Sequence, residues 1–246
     1  MLATSLSNFE PIGLEEMDAV SLLKRMDTKF LTTEAKLLEI LPFLQEEYRI
    51  LEIAEKRLMS YATLYFDTEN LRSYMEHHNG KAKRQKIRMR KYIDSDICFL
   101  EIKEKRNSGM TNKTRCSIND FETELSSNSK KFIEKVSGKN LTLEPVLYNY
   151  FQRFTLVNTQ RSERITIDTG LEYKTKATTK KLQNIAVIEV KQEKQNIHTS
   201  IYKALKSNNI RTTSFSKYCI GVANIFKDIK ANSFKELNLK INKLNN

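Results

Sequence analysis

The sequence has 246 residues and a formal net charge of +12, because 42 Lys and Arg outnumber 30 Asp and Glu. With 39% hydrophobic residues and only 6 Gly and 3 Pro, the composition excludes a disordered, collagen-like or Pro/Gly-rich chain. Its longest apolar runs, such as IAVI at 185–188, are far shorter than the roughly 18 residues of a membrane-spanning helix. The positive charge favours an anionic partner, which leaves nucleic acid, a phosphorylated metabolite, a polyanion or an acidic membrane surface.

The cysteines and the N-terminus predict the cellular compartment. Three cysteines, Cys98, Cys116 and Cys219, form no CxxC pair and are odd in number, which argues against a disulfide framework and a cysteine zinc site. The first residues lack the basic stretch followed by an apolar stretch that marks a secretory signal. We therefore expect a cytoplasmic protein.

The chain begins with helical patterns and then changes to strand patterns. Residues 15–25 and 33–48 carry apolar residues at helical spacing, and Thr32 or Thr33 is a candidate N-cap of the second helix. From about residue 48 the period is two, which predicts about nine strands: 49–54, 61–68, 86–93, 97–105, 112–118, 151–158, 163–169, 171–176 and 184–192. Further helices are predicted at 69–77, at 119–136 and from about 199. The fold class is α+β, with an antiparallel barrel or sandwich decorated by helices.

Charged residues alternate along several predicted strands, and successive side chains of a strand point to opposite faces. The residues that share a face in this way are Arg84, Lys86, Arg88 and Arg90; Glu101, Lys103 and Lys105; Lys113 and Arg115; Arg164, Thr166 and Asp168; and Glu189 and Lys191. A solvated sheet face is the ordinary explanation of such a pattern. However, like charges roughly 7 Å apart on one face repel each other. The array therefore predicts a bound anion.

Carboxylates within this array have two possible roles. Glu101, Asp168 and Glu189 are either ligands of a divalent cation shared with phosphate oxygens, or partners in internal salt bridges. The chain has neither a GxxxxGK[ST] nor a GxGxxG loop. Its three histidines include the adjacent His77 and His78, which cannot share one helix face. A P-loop, a Rossmann site, a histidine metal site and a Ser/His triad are all disfavoured.

The segments RMDTKF, YFDT, KIRMR, FLEIK, NKTR, ERITID, VIEVK and SFSKYCIG occur in an order that resembles the vacuolar transporter chaperone (VTC) domain. This family is the polyphosphate-polymerase branch of the triphosphate tunnel metalloenzyme (CYTH-like) superfamily, and the resemblance covers about residues 20–225. It implies a closed antiparallel β-tunnel with a basic interior. Such a domain transfers the terminal phosphoryl group of ATP to a growing inorganic polyphosphate chain with Mn²⁺ or Mg²⁺. We expect one freestanding, bacterial-type domain over 1–246, with 227–246 as a C-terminal helix or tail.

The resemblance and the alternating charges together imply a set of site residues. The catalytic residues are Arg88, Arg90, Lys103, Arg164 and Lys217. Phosphate-binding residues are Lys29, Arg84, Lys113, Arg115, Arg153, Lys191, Arg211 and Ser216. The metal ligands are Glu189 and Glu101.

The chain departs from the family pattern at two places. Ser214 stands where fungal members carry a lysine, so Arg211 is the candidate source of that charge. An arginine upstream of IRMR has no clear counterpart, and its candidate replacements are Lys83, Arg84 or His77.

Two alternative functions remain at the level of sequence. One is a tunnel triphosphatase or polyphosphatase, in which Glu101 would orient the attacking water. The other is a non-catalytic module that binds polyphosphate or nucleic acid. The absence of Trp and the carboxylates among the cations argue against nucleic acid. We therefore expect ATP and inorganic polyphosphate as partners.

Overall fold

The computed structural model describes residues 1–19, 26–107, 110–158 and 160–245. The strands of these residues are β1 (Pro11–Ile12), β2 (Met26–Thr33), β3 (Tyr48–Leu51), β4 (Met59–Asp67), β5 (Arg84–Tyr92), β6 (Ile97–Lys105), β7 (Thr111–Ile118), β8 (Glu144–Asn158), β9 (Glu163–Lys174), β10 (Thr179–Leu182) and β11 (Ile185–Gln192). The α-helices are α1 (Leu2–Ser7), α2 (Leu14–Ala19), α3 (Glu34–Ile40), α4 (Arg72–His78), α5 (Ser127–Ser137), α6 (Ser200–Ser207), α7 (Lys217–Ile225) and α8 (Lys235–Asn245). None of these helices is long and apolar enough to cross a bilayer.

All eleven strands belong to one sheet, whose main path has the order β2-β11-β9-β8-β4-β5-β6-β7. Every pair along that path is antiparallel, which confirms the predicted α+β class. Outside this path, β3 pairs with β1 and β8, and β10 pairs with β9. Among the described strands, β2 and β7 at its two ends are not hydrogen-bonded to each other. The closure of the tunnel by backbone hydrogen bonds is therefore not observed.

The N-terminal third differs most from the prediction based on periodicity. The predicted helix over 15–25 corresponds to α2, which ends at Ala19, and residues 20–25 lie outside the described residues. Strand β2 is not among the predicted strands. Its consecutive residues Phe30 and Leu31 are buried in two different core clusters. A strand buried on both faces lacks the alternation by which strands are recognised.

The helix predicted over 33–48 is shorter than expected. Thr33 is the N-cap of α3, as predicted, and its hydroxyl accepts a hydrogen bond of 3.2 Å from the backbone N–H of Lys36. After Ile40 the chain forms a 3₁₀ turn, Leu41–Leu44, with Pro42 near its start. Proline has no backbone N–H to donate to the preceding turn, so the α-helix ends there.

Residues 163–176 are predicted as two strands, but β9 is a single strand over Glu163–Lys174. Its register with β8 shifts between Tyr150 and Gln152, opposite Gly170, whose φ is +59°. A glycine with positive φ inside a strand is typical of a β-bulge, which bends the strand without ending it. The predicted boundary between two strands at Gly170 is therefore a bend within one strand.

Helices cover one face of the sheet. Phe154, Ile167 and Ile188 belong to a core cluster with residues of α1, α3 and α6. Further along the same face, Leu64 and Leu100 pack with residues of α5. Hydrophobic burial of this kind contributes about 25 cal/mol for each Å² of apolar surface. This outer face anchors the strands that carry the charged residues on their other side.

The opposite, inner face of the sheet curls around α7. Lys29 on β2 donates to the backbone carbonyl of Phe215 at 3.1 Å, and Lys86 on β5 donates to the hydroxyl of Ser216 at 2.8 Å. Four strands separate β2 from β5 along the sheet, yet both reach the start of α7. Gly221 lies so close to the sheet that a Cβ there would be 2.4 Å from Leu147. Helix α7 therefore fills one end of the inner face.

Candidate functional site

Most of the predicted site residues lie on the inner face, because the strand alternation places them there. We call this set the charged inner face: Lys29, Lys86, Arg88, Arg90, Glu101, Lys103, Lys113, Arg153, Thr166, Asp168, Glu189, Lys191 and Lys217. Its residues come from seven strands and from the first turn of α7.

Glu101 is the centre of the first ion-pair group. Arg88 contacts its Oε2 through Nε at 2.9 Å and Nη2 at 2.7 Å, and Lys113 contacts its Oε1 at 3.3 Å. The carboxylate has 0% exposure. Although burial acts to raise the pKa of Glu101, the charges of Arg88, Arg90 and Lys113 lower it to about 2. Glu101 is therefore an ionised group that holds Arg88 in place.

Asp168 is the centre of the second ion-pair group. Arg153 contacts it with both arms, Nε to Oδ1 at 2.5 Å and Nη2 to Oδ2 at 2.8 Å. Lys217 also donates to Oδ2 of Asp168. Burial acts to raise the pKa of Asp168, but Arg153 and Lys217 hold it well below its usual range. The guanidinium carbon of Arg153 lies 5.5 Å from the ring centre of Tyr61 and 5.4 Å from that of Phe151.

Glu189 is the centre of the third ion-pair group. Its Oε2 lies 2.5 Å from Nζ of Lys191, and its Oε1 lies 3.7 Å from Nζ of Lys29. Burial acts to raise the pKa of Glu189, but these two lysines hold it well below its usual range. The Glu189 side chain keeps 17% of its surface exposed, whereas that of Glu101 has none. Glu189 is thus the more accessible of the two predicted metal ligands.

Two cations of the charged inner face have no carboxylate partner within the described residues. Arg90 is 8% exposed, lies 3.4 Å from the hydroxyl of Thr63 and 5.9 Å from the ring centre of Phe151, and forms none of the described ion pairs. Burial and the neighbouring Arg88 lower the pKa of Arg90 to about 10. Lys103 likewise forms no described ion pair, and burial followed by the charge of Arg88 lowers its pKa to about 7. When protonated, both side chains lack a carboxylate contact among the described residues.

Lys86 is a third cation of this kind, and it is not among the predicted site residues. Its ammonium group bonds to Nδ1 of His77 at 2.7 Å and to Oγ of Ser216 at 2.8 Å, and both groups are neutral. Burial and the charges of Arg84 and Lys29 lower the pKa of Lys86 to about 8. In KRQKIRMR, Lys86 and Arg88 are two residues apart and share one face of the strand. The alternation alone was therefore sufficient to identify Lys86 as a candidate site residue.

The remaining predicted residues lie around this region. Arg84 donates to the carbonyl of Lys81 at 2.7 Å, and Arg164 donates to the carbonyl of Met17 at 3.1 Å. Arg115 is exposed, with its guanidinium 4.4 Å from the ring centre of Phe99. Ser216 is the N-cap of α7. Arg211 is exposed in the segment beside β2 and has no described side-chain contact with the charged inner face.

A divalent cation fits only one of the two predicted carboxylates. The described residues contain no group of three or more His, Cys, Asp or Glu that could hold a metal. Both oxygens of Glu101 are engaged by Arg88 and Lys113 in a fully buried position, which does not fit a metal ligand. Glu189 fits, because Mg²⁺ and similar ions are commonly held by one or two carboxylates together with substrate phosphates and water.

A separate cleft lies away from the charged inner face. It has a volume of about 550 Å³ and is lined by residues of α5 and of the segments before and after it, among them Leu125, Lys130, Ile133 and Leu141. None of the predicted site residues lines it. The cleft therefore adds nothing to the candidate site.

Several solved structures are similar to this chain. A candidate adenylate cyclase from Bacillus halodurans is 13% identical, with 83% of this chain and 98% of that chain covered and a TM-score of 0.49. A candidate adenylyl cyclase from Hippeastrum, described as having a dominant triphosphatase activity, is also 13% identical, with 83% and 97% covered and a TM-score of 0.48. A conserved hypothetical protein from Pyrococcus furiosus is 10% identical, with 80% and 99% covered and a TM-score of 0.45. No curated protein matches the chain at a significant level.

A family model gives a match over most of the sequence. The model of the VTC domain matches residues 24–226. This range begins just before β2 and ends just after α7, so it contains every residue of the charged inner face.

Proposed function

Because this chain belongs to the VTC domain family, we propose that its charged inner face binds phosphate chains and transfers the terminal phosphoryl group of ATP to inorganic polyphosphate. The observation that supports this proposal is the convergence of Arg90, Lys103 and Lys86, buried or half-buried cations without a carboxylate partner among the described residues. Burying a charge without a counter-charge is costly. A phosphate chain supplies the missing negative charge.

Phosphoryl transfer requires in-line positioning and neutralisation of charge more than covalent chemistry from the protein. A terminal oxygen of the polyphosphate chain forms a bond to the γ-phosphorus of ATP while the β–γ bridging P–O bond breaks. The electron pair of that bond leaves with ADP, and the chain becomes one phosphate longer. The attacking oxygen is already ionised at neutral pH, so the protein does not need a general base.

The ion pairs of the inner face hold the cations in position for this reaction. Arg88 and Arg153 are each fixed by a two-armed contact to a carboxylate, and Arg90 lies one strand period from Arg88. We assign these arginines, with Arg164, to the triphosphate, because a guanidinium matches two phosphate oxygens at once. The acceptor chain is assigned to the lysines Lys29, Lys103 and Lys217.

Glu189 is the residue of this chain that we assign to the metal, which we propose to be Mn²⁺ or Mg²⁺. A bound divalent ion would withdraw charge from the phosphate oxygens that it contacts. Lys29 and Lys191, which contact the Glu189 carboxylate, are the cations that we assign to the phosphate chain beside it. Glu189→Gln is expected to abolish turnover and to spare binding of tripolyphosphate, and unchanged turnover would remove Glu189 from the site.

The test of the activity is incubation of the protein with ATP, Mn²⁺ and short polyphosphate, with ADP, free phosphate and chain length followed together. ADP matched by chain lengthening supports the polymerase. Free phosphate without lengthening would identify a triphosphatase or polyphosphatase instead. Tight binding of polyphosphate without turnover would identify a binding module.

One observation argues against Glu101 as the water-orienting group of a hydrolase. Hydrolysis requires a group that orients water, and Glu101 is the candidate for that role. Both of its oxygens are engaged by Arg88 and Lys113, and the group is fully buried. A carboxylate in that position is not available to a water molecule.

A further inference from the structure

Lys86 is held by neutral groups, unlike the lysines that contact carboxylates. Its ammonium bonds to His77 Nδ1 at 2.7 Å and to Ser216 Oγ at 2.8 Å, and Cys219 is its other polar neighbour. These partners fix the position of the ammonium group but leave its charge uncancelled. By contrast, Lys191 and Lys217 each contact a carboxylate oxygen. The positive charge of Lys86 is therefore available to an anion that binds at this end of the inner face.

Other cations converge on the same place. Burial and the charges of Lys86, Arg84, Lys105 and Lys29 together lower the pKa of His77 to about 3. These cations come from three strands, β2, β5 and β6. His77 is consequently neutral at physiological pH, and its Nδ1 accepts a hydrogen bond from Lys86. The imidazole acts as a support for the lysine and does not add to the repulsion.

The first turn of α7 adds to this positive region. Ser216 is the N-cap of the nine-residue helix, and Lys29 donates to the carbonyl of Phe215 just before it at 3.1 Å. The N-terminal end of a helix has a partial positive charge from its aligned peptide groups. The ammonium groups of Lys29 and Lys86 thus lie close to the N-terminal end of α7.

We propose that Lys86 and Lys29, held by His77, Ser216 and the Phe215 carbonyl, form a site for the terminal phosphate of a linear phosphate chain. The proposal deepens the proposed function, on which it rests, by naming the residues that distinguish a chain end from a chain interior. A terminal phosphate bears a charge of about −1.5 to −2 near neutral pH, whereas an interior one bears a single charge. Lys86, which has no carboxylate partner among the described residues, together with Lys29, whose described carboxylate contact is Glu189 at 3.7 Å, matches the terminal group better.

The test compares linear tripolyphosphate, which has two terminal phosphates, with cyclic trimetaphosphate, which has none. Calorimetric titration without metal or nucleotide gives both dissociation constants for the wild-type protein, Lys86→Met and Lys91→Met. Lys91 is a matched control on the same strand, because it forms ion pairs with Asp96 at 2.8 Å and Asp120 at 3.0 Å. The wild-type protein should prefer the linear compound by about tenfold or more, the size of one charge-assisted contact.

Lys86→Met should remove most of this preference, because it should weaken binding of the linear compound about tenfold and binding of the cyclic compound less than about threefold. Lys91→Met should leave both constants unchanged. A linear-to-cyclic ratio in Lys86→Met within about twofold of wild type would overturn the proposal, as would a wild-type protein without a preference. If chain growth from ATP is absent while the Lys86-dependent preference remains, the proposed function fails and the end-group site stands.

A measurement on the wild-type protein covers the case in which Lys86→Met does not fold. The chain has three histidines, so the Cε1–H signals of the imidazoles can be followed by NMR. Tripolyphosphate should shift the signal of His77 and trimetaphosphate should not, while exposed His198 serves as the internal control. An unchanged His77 signal at saturating tripolyphosphate would overturn the proposal.

Discussion

The charged inner face contains two kinds of cation: those that a carboxylate of the protein holds in place, and those without a carboxylate partner among the described residues. Arg88, Arg153 and Lys191 each contact a carboxylate at 2.9 Å or less. Arg90 and Lys86 contact only neutral groups among the described residues. A carboxylate of the protein positions the first kind for the ligand, whereas the charge of the second kind is cancelled only when an anion binds.

The two kinds also differ in their effect on stability. A buried ion pair is close to neutral for folding, but removing one partner is strongly destabilising. A buried cation without a partner destabilises the empty protein, and an anion that binds it recovers that free energy. Removing the carboxylate of a pair should therefore mainly lower stability, and removing an unpaired cation should mainly lower affinity.

The largest effect is expected from breaking a pair. Asp168→Asn leaves Arg153 and Lys217 buried without a counter-charge and should lower the free energy of unfolding by about 3–5 kcal/mol. Urea denaturation measures this change. As a control, Asp120→Asn disrupts an exposed pair with Lys91 and should have little effect. A loss of less than about 1 kcal/mol in Asp168→Asn would contradict the division into two kinds.

Removing an unpaired cation should lower ligand affinity without lowering stability. Arg90→Met is expected to weaken tripolyphosphate binding by about 10- to 100-fold, because a charge-assisted contact is lost. The stability of the empty protein should stay the same or increase, since a buried uncompensated charge has been removed. Calorimetric titration and urea denaturation are performed on the same preparation. Reduced stability with unchanged affinity would show that Arg90 stabilises the fold and does not bind the ligand.

Lys103 contributes to the pH dependence of the inner face, because burial and Arg88 lower its pKa to about 7. Burial lowers the pKa of Lys86 and of Lys217 to about 8, so these lysines contribute in the same range. Above about pH 7 Lys103 is neutral in the folded protein but protonated in the unfolded chain up to about 10.4, so the empty protein should gain stability as pH rises from 7 to 10. Tripolyphosphate binding should weaken over the same window, by up to about tenfold per pH unit, because binding requires the proton.

Lys103→Arg is the matched control for this pH profile, because arginine stays charged throughout the range. It should make both the stability curve and the binding curve less steep than those of the wild-type protein, and the remaining slope belongs to Lys86 and Lys217. Ionisation of the ligand affects both proteins equally and cancels in the comparison. The same profile in both proteins would show that Lys103 is not the titrating group.

The smallest effect is expected at the rim of the inner face. Arg115 is exposed over Phe99, so Arg115→Met should weaken tripolyphosphate binding only about two- to threefold at about 0.1 M salt. At about 1 M salt the difference should disappear, because exposed charges are screened. Binding measured at both salt concentrations tests this, and an effect that persists at high salt would move Arg115 into the site itself.

The amino-acid sequence by itself determined which side chains share the inner face. The period of two assigns Arg88 and Arg90 to one face of their strand and Glu101 and Lys103 to one face of the next, since alternation is a local property of a strand. The same local rule predicts the bounds of β6 and β11 almost residue for residue. It misses β2, because Phe30 and Leu31 are both buried and leave no alternation to detect.

Only the tertiary structure decided which cations are neutralised. The pairing of Arg153 with Asp168 depends on the register of β8 against β9, including the bulge at Gly170. Lys217 reaches Asp168, and Lys86 reaches Ser216, only because α7 packs into the curled sheet. These contacts join residues far apart in the chain, so no local pattern encodes them. Strand register and helix placement together decide which cations of the proposed binding site are held by a carboxylate and which are not.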